Sequence, residues 1–262
     1  MSNLPDSEMV QFELGILTRV GGRAANEDAC AHWHSEARLA CVVADGAGGH
    51  GGGAVASKLA VQCLIGRYVQ GMTAAPAELE ALFREASDEV RRHRSDAAEQ
   101  GQMHTTAVAL FVDLVKQLAL WGHVGDSRLY VFRQGLLAQR TRDHSVVQAL
   151  ADAGAIAEGE MVTHAQRSEL LCALGSEPED LSVSVSDGAW RILPGDVFLL
   201  CSDGYWEHLD DAALTGSLSQ AGDPQAWLQA LELIVLDAVA EKPRHDNYSA
   251  ISLWARPAAA SN

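Results

Sequence analysis

Long apolar runs are missing from this chain. Nowhere do 18 apolar residues follow one another, which excludes a membrane-spanning helix. The start, Met1-Ser-Asn-Leu-Pro-Asp-Ser-Glu-Met9, has neither the basic nor the apolar region of a secretory leader. Basic residues are scarce as well. Against 35 Asp and Glu stand 19 Lys and Arg, a formal charge of −16, which argues against a nucleic-acid partner. The five cysteines (Cys30, Cys41, Cys63, Cys172 and Cys201) form no Cys-x-x-Cys pair, and no His/Cys set has zinc spacing. Each cysteine has apolar neighbours, the setting of a buried reduced thiol, so the expected compartment is the cytoplasm. No linker, repeat or low-complexity block interrupts the sequence. We expect one domain over residues 1–262, ordered from about 10 to 255, with short flexible tails.

What the chain does have is a repeated piece of grammar. The apolar run Leu39–Ala44 stops at Asp45 and passes through the glycine-rich Gly46–Gly53 into a helical pattern. Val197–Ser202 stops in the same way at Asp203-Gly204. Leu118–Val124 runs into Gly125-Asp126, and Asp246-Asn247 precedes the apolar Tyr248–Trp254. If that last strand is antiparallel to the others, its beginning meets their ends, and four aspartates share one edge. One Asp-Gly after a strand is an ordinary turn. Four carboxylates at one edge repel each other unless a cation holds them, which points to a metal site. Carboxylate oxygens are hard donors and suit Mg²⁺ or Mn²⁺; a pair of such ions is the usual arrangement for in-line attack on phosphorus.

The periodicity places these acids among many short strands and four main helices. Phe12–Thr18, Ala29–His34, Thr105–Val112, Gln117–Val124, Ser127–Arg133, Leu136–Arg140, Leu181–Val185 and Val197–Cys201 read as strands. Ala54–Val69 and a segment opening at Pro76 are helical, with Arg91, Arg92 and Arg94 as solvated surface. A helix begins after Asp143-His144-Ser145 and ends near Gly154. Residues 155–175 read as an irregular flap over an open edge. Further helices start near Asp210 and at Pro224, the latter with Trp227, Leu231 and Ile234 facing inward. The fold class is α+β, one layered sandwich.

Taken in order, Arg23-Ala-Ala-Asn26-Glu27-Asp28, Val43-Ala-Asp45-Gly46-Ala-Gly-Gly-His50, Thr105-Thr106, Gly125-Asp126-Ser127-Arg128, Ser202-Asp203-Gly204 and Asp246-Asn247 resemble the motifs of the metal-dependent type 2C Ser/Thr protein phosphatases, in their compact bacterial branch. The resemblance runs from about Leu14 to Leu253. It implies a four-layer αββα sandwich, two antiparallel sheets flanked by helices, with two Mg²⁺ or Mn²⁺ ions at one end. It further implies that Asp45 bridges the ions, with the Gly46 carbonyl, Asp203 and Asp246 as further ligands. Glu27 and Asp28 would hold coordinated water, Asp126 would serve a third ion, and Arg23 would grip phosphate. The implied activity is hydrolysis of phosphoserine and phosphothreonine by a metal-activated water. The implied partners are phosphorylated proteins and a cognate Ser/Thr kinase, for a monomeric enzyme with no membrane or nucleic-acid partner.

Three positions depart from the family's pattern. His104 stands where the family has Gly and would crowd its strand, and Cys172 where many bacterial members have Arg. Ala47 replaces a His held to protonate the leaving group in animal members. His50 is the nearest substitute, with a structural role as the alternative, and the general acid stays unassigned. Thr105-Thr106 reads as a strand start or as a shaper of the site, Asn247 as the brace of the Asp246 turn. The rival enzyme readings fit worse. Gly46-Ala-Gly48-Gly-His-Gly51 matches a dinucleotide loop but lacks an acid at the end of a following strand. No cysteine has Arg six positions on. The non-enzyme alternative is a phosphatase-like module that binds phosphoproteins with weak turnover.

Overall fold

The structure, a computed structural model, describes residues 9–48, 51–71, 75–96 and 103–258. Strand β1 (Val10–Arg19) is followed by the hairpin β2 (Ala29–His34) and β3 (Arg38–Ala44). The two-residue β4 (Gly46–Ala47) leads into α1 (Gly52–Val69) and then α2 (Pro76–Asp96). Next come β5 (His104–Thr105), β6 (Ala107–Asp113), β7 (Leu118–Val124), β8 (Arg128–Arg133) and β9 (Leu136–Arg140). The β8–β9 turn has positive φ at Gln134 and Gly135, the backbone that matches strand twist in a tight hairpin. After α3 (Val146–Asp152) the chain forms a 3₁₀ turn over Glu158–Thr163, then β10 (Ser184–Val185), β11 (Trp190–Arg191) and β12 (Val197–Cys201). The last elements are α4 (Asp203–Trp206), α5 (Asp211–Leu218), α6 (Pro224–Ala238) and β13 (Tyr248–Pro257).

Local chemistry sets the helix starts. Ser145, Asp210 and Asp223 each accept a backbone N–H of the turn they cap, and Pro224 fills the first position of α6.

The strands make two antiparallel sheets, one in the order β1-β13-β12-β8-β9 and one in the order β10-β7-β6-β3-β2. They face each other through an apolar layer that includes Cys41, Val43 and Leu110 from one sheet and Leu129, Phe198 and Ile251 from the other. On the outer face of the second sheet, α1 and α2 bury Ala56, Leu64 and Phe83. Helices α5 and α6 cover the first sheet, where Trp227 stands edge-on to Phe132 at 5.5 Å. This is the expected αββα order: a sheet has two faces, and each sheet buries one on its partner and one on helices.

Pairing fixes where the acids fall. In the first sheet Cys201 of β12 faces Ala250 of β13, so the end of β12 meets the beginning of β13. In the second, Val43 of β3 faces Val108 of β6, and Ala107 faces Val124 of β7. Thus the ends of β3, β7 and β12 and the start of β13 lie at one end of the sandwich.

Several details correct the sequence reading. Ile234 lies outward and is 36% exposed; the inward set on α6 is Trp227, Leu228, Leu231 and Val235, because the apolar stripe continues past the face that the sheet covers. The last strand runs on to Pro257, held by pairing with Val10, so Arg256 is not in a loose tail. Arg94 is not simply solvated: its guanidinium donates to the Gly175 carbonyl and to Glu177. His104 does not crowd its strand, since it pairs across from Ala47 with its ring beside Arg94. The tight α4 and the short strands β4 and β11 are too brief for periodicity to reveal.

Candidate metal centre

At the acid end of the sandwich the structure opens a cleft of about 580 Å³. Arg23, Glu27, Asp45, Gly46, Asp126, Asp203 and Asp246 all line it. Seven of the expected site residues are therefore brought together from five separate segments of chain.

Asp45 leaves β3 with its backbone fully engaged. Its N–H donates to Thr106 Oγ1 at 3.1 Å, and its carbonyl accepts from Thr105 Oγ1 and from the Thr106 N–H, both at 2.8 Å. Thr106 Oγ1 also pairs with Ser127 Oγ at 2.7 Å, beside Asp126. The two threonines thus shape the site and are more than a strand start. Gly46 is a glycine for lack of room, since a Cβ there would lie 2.3 Å from the Gly53 carbonyl oxygen and 2.6 Å from that of Glu27.

Asp203 opens α4, and its neighbour Gly204 lies so close to the Asn247 carbonyl that a Cβ would come within 2.1 Å. Trp206, at the other end of α4, donates Nε1–H to the Asp126 carbonyl at 2.9 Å. Asn247 braces the Asp246 turn and also the Arg23 loop. Its Nδ2 donates to the Val20 and Ala25 carbonyls, and its Oδ1 accepts the Glu27 N–H at 2.8 Å.

Burial without cations makes these acids reluctant to ionise. Asp45 and Asp126 are pushed well above the usual carboxylate range, first by desolvation and then by the charge of Asp203. Asp203 rises to about 6 through desolvation, against a lowering hydrogen bond with Asp45. Its Oδ1 is buried with no hydrogen-bond partner. Glu27 is raised mainly by partial burial, an effect that nearby Arg23 opposes.

Asp28 differs from the expectation. It faces a groove behind the cleft, where its Oδ2 accepts from Ser202 Oγ at 2.8 Å and its Oδ1 has no partner. Desolvation carries it to about 7. Asp246 and Arg23, expected to hold metal and phosphate separately, are bonded to each other at 2.7 Å. His50 lies outside the described residues.

The donor set fits hard divalent cations. It offers carboxylate and carbonyl oxygens only, Asp203 keeps a buried oxygen unpartnered, and a glycine cradle keeps side chains out. Among the described residues, no three His, Cys, Asp or Glu side chains already converge as a closed ligand cage.

A sequence profile described as "Protein phosphatase 2C" matches residues 19–232. The chain belongs to the protein phosphatase 2C family. It is a metal-dependent Ser/Thr phosphatase. It is 32% identical over 178 residues to the serine/threonine phosphatase Stp of Listeria innocua, covering 66% of this chain and 69% of that one. To the protein phosphatase PhpP of Streptococcus pneumoniae it is 31% identical over 199 residues, 74% of this chain and 78% of that one. Among solved structures, the catalytic domain of the phosphatase PstP in complex with two manganese ions superposes with a TM-score of 0.78. The identity there is 26%, over 95% of this chain and all of that one.

The sequence reading named Thr105-Thr106, Ser127 and Ser202 but missed the bonds of Thr106 with Ser127 and of Ser202 with Asp28, and it missed Ser168 and Leu170 of the flap, which line the cleft. Their only signal is closeness in sequence to an acid or a place in the flap.

Proposed function

We propose that this cleft hydrolyses phosphoserine and phosphothreonine in other proteins, using two Mg²⁺ or Mn²⁺ ions and a water, with no phosphoenzyme. One observation carries the reading: Asp45, Asp126, Asp203 and Asp246 come from four strand ends into one cleft, where burial and mutual repulsion leave the first three in need of cations. When bound, such ions supply charge at the phosphoryl oxygens and lower the pKa of the attacking water. Asp45 would be shared between the ions, with the Gly46 carbonyl beside it. Asp203 and Asp246 would complete the set, Glu27 would orient coordinated water, and Asp126 would serve a third ion. Asp28, at the rear, supports Ser202 and hence the Asp203 turn.

Arg23 would turn from Asp246 to the phosphate, for which its planar fork is matched. No described side chain in the cleft is placed as the general acid, and His50 keeps that candidacy. Cys201 is fully buried in the core and burial raises its thiol, so it is no nucleophile. The cleft is open, which suits a protein surface as substrate, and a cognate Ser/Thr kinase would supply it. We take the chain to work as one catalytic domain, as a monomer in the cytoplasm. No described helix is long and apolar enough to cross a membrane.

Hydrolysis of a phosphopeptide with Mn²⁺ titrated in and then chelated tests the proposal. Turnover should appear with the metal and vanish with the chelator; full activity in excess chelator would refute the metal mechanism. A binding module without turnover is the weaker reading, because every expected acid except Asp28 faces the cleft.

A further inference from the structure

Beside the acid cleft lies a second cavity of about 750 Å³. The two share their walls. Asp126 lines the cleft and Arg128 the second cavity; Ser168 lines the cleft and Arg167 the cavity; Asp203 opens α4 in the cleft and Trp206 closes it in the cavity. Three residues of helix rise about 5 Å, and two residues of strand about 7 Å. The dividing wall is rigid: Trp206 is bonded to the Asp126 carbonyl, and the Arg128 guanidinium lies 3.3 Å from its ring centroid, held by both oxygens of Asp143.

The cavity is lined by apolar side chains from three elements, Met161 and Val162 of the flap, Leu209 before α5 and Ile234 of α6. Val162 and Ile234 are 47% and 36% exposed, so the cavity presents apolar side chains to solvent beside the cleft. Its ion pairs leave acid in excess. Arg128 is matched by Asp143 and Arg167 by Glu207, whereas Arg140 stands 3.8 Å from each of two acids, Glu158 and Asp211.

We propose that this cavity is a substrate subsite. On the function proposed above, it takes a large aliphatic or aromatic side chain of the phosphoprotein, two to four residues from the phosphorylated one, with a basic residue next to it. An extended chain advances about 3.3 Å per residue, so two to four residues cover about 7–13 Å, enough to pass the roughly 5–7 Å of shared wall and reach into the cavity. The apolar lining reads the large side chain, and the unmatched acid at the rim reads the basic one.

The test uses the whole chain with Mn²⁺ and two kinds of substrate. p-Nitrophenyl phosphate is too small to reach the cavity and reports the catalytic cleft alone. Phosphothreonine peptides, with Leu or Ser and then Lys or Glu scanned over four positions on each side, report the subsite. One position should favour Leu over Ser by ten- to a hundred-fold in kcat/KM, the range for burying one aliphatic side chain. Ala212→Trp, which fills the cavity from an exposed position, and Ile234→Ser should abolish that preference and leave p-nitrophenyl phosphate turnover unchanged. A flat peptide profile, or a preference that survives both substitutions while the small substrate is turned over, overturns the subsite alone. Loss of turnover on every substrate by the unaltered chain would overturn the underlying function and the subsite with it.

Discussion

Arg23 Nη2 donates to Asp246 Oδ2 at 2.7 Å, across 223 residues of sequence. Both side chains are about half exposed, at 53% and 45%, so the pair is screened by water and contributes little on its own. A cation at Asp246 and a phosphate at Arg23 can therefore each take its partner away at small cost. In the mechanism proposed above, the pair would join metal and substrate in one weak contact.

Arg23→Ala should raise KM for a phosphopeptide by about ten- to a hundred-fold, the worth of one charge-assisted contact of roughly 1.5–3 kcal/mol. Because Asp246 loses a competitor, Mn²⁺ should bind the variant as well as before or a few-fold better. Calorimetric titration with Mn²⁺ reads this directly, and a variant that loses the metal would show that Arg23 supports the ions and not the substrate.

The acids also set a pH dependence for the metal-free protein. Asp28 titrates at about 7 and Asp203 at about 6 in the fold, against about 4 for an unfolded carboxylate. Groups raised in this way favour the fold most below about pH 4, and that contribution is lost as pH rises through 6 to 7. Thermal unfolding in chelator should therefore show Tm falling by several degrees between pH 5 and 8. Saturating Mn²⁺ should remove most of the fall, since cations stabilise the ionised acids. A metal-free Tm that is flat or rises across this window would contradict the assigned cost of burying these carboxylates.

The layered α+β sandwich and the shared acid edge were legible because both follow from runs of apolar residues and from antiparallel pairing, whereas the αββα order came from the family resemblance. Ile234 was misread because three apolar residues in a row, Leu233 to Val235, cannot all face the sheet, and periodicity does not say which one turns away. The partners of the acids were not legible. Thr106 and Ser127 are 21 residues apart, and Ser202 and Asp28 are 174 apart, so only the assembled sheets bring their hydroxyls to the carboxylates. The Arg23–Asp246 pair was hidden for a different reason: each residue was assigned to an absent ligand, and in the fold each finds the other.

The buried pair of Arg128 and Asp143, with side chains 10% and 2% exposed, supports the wall beside Asp126. Arg128→Met leaves Asp143 charged and unpaired and should cost about 3–5 kcal/mol of stability. Arg128→Met with Asp143→Leu removes both charges and should restore most of it. Denaturant unfolding of the single and double variants makes the comparison, and equal losses in both would mean that packing on Trp206 matters more than charge.

Asp203→Asn gives the sharpest test of the centre. The substitution keeps the volume but removes a charged oxygen, and with it the neighbour that raises both Asp45 and Asp126. Two opposite effects should follow. In chelator the variant should be more stable than the parent above about pH 6, because fewer buried carboxylates repel each other. In Mn²⁺ it should gain less stability than the parent, since a ligand at free concentration L stabilises a fold by RT ln(1 + L/Kd) and its affinity here is lower. Turnover should fall by several orders of magnitude. Measuring Tm with and without Mn²⁺, beside phosphopeptide turnover, separates these outcomes. A variant that gains as much from Mn²⁺ as the parent, or that turns over normally, would remove Asp203 from the metal set and leave Asp45, Asp126 and Asp246 to hold the ions without it.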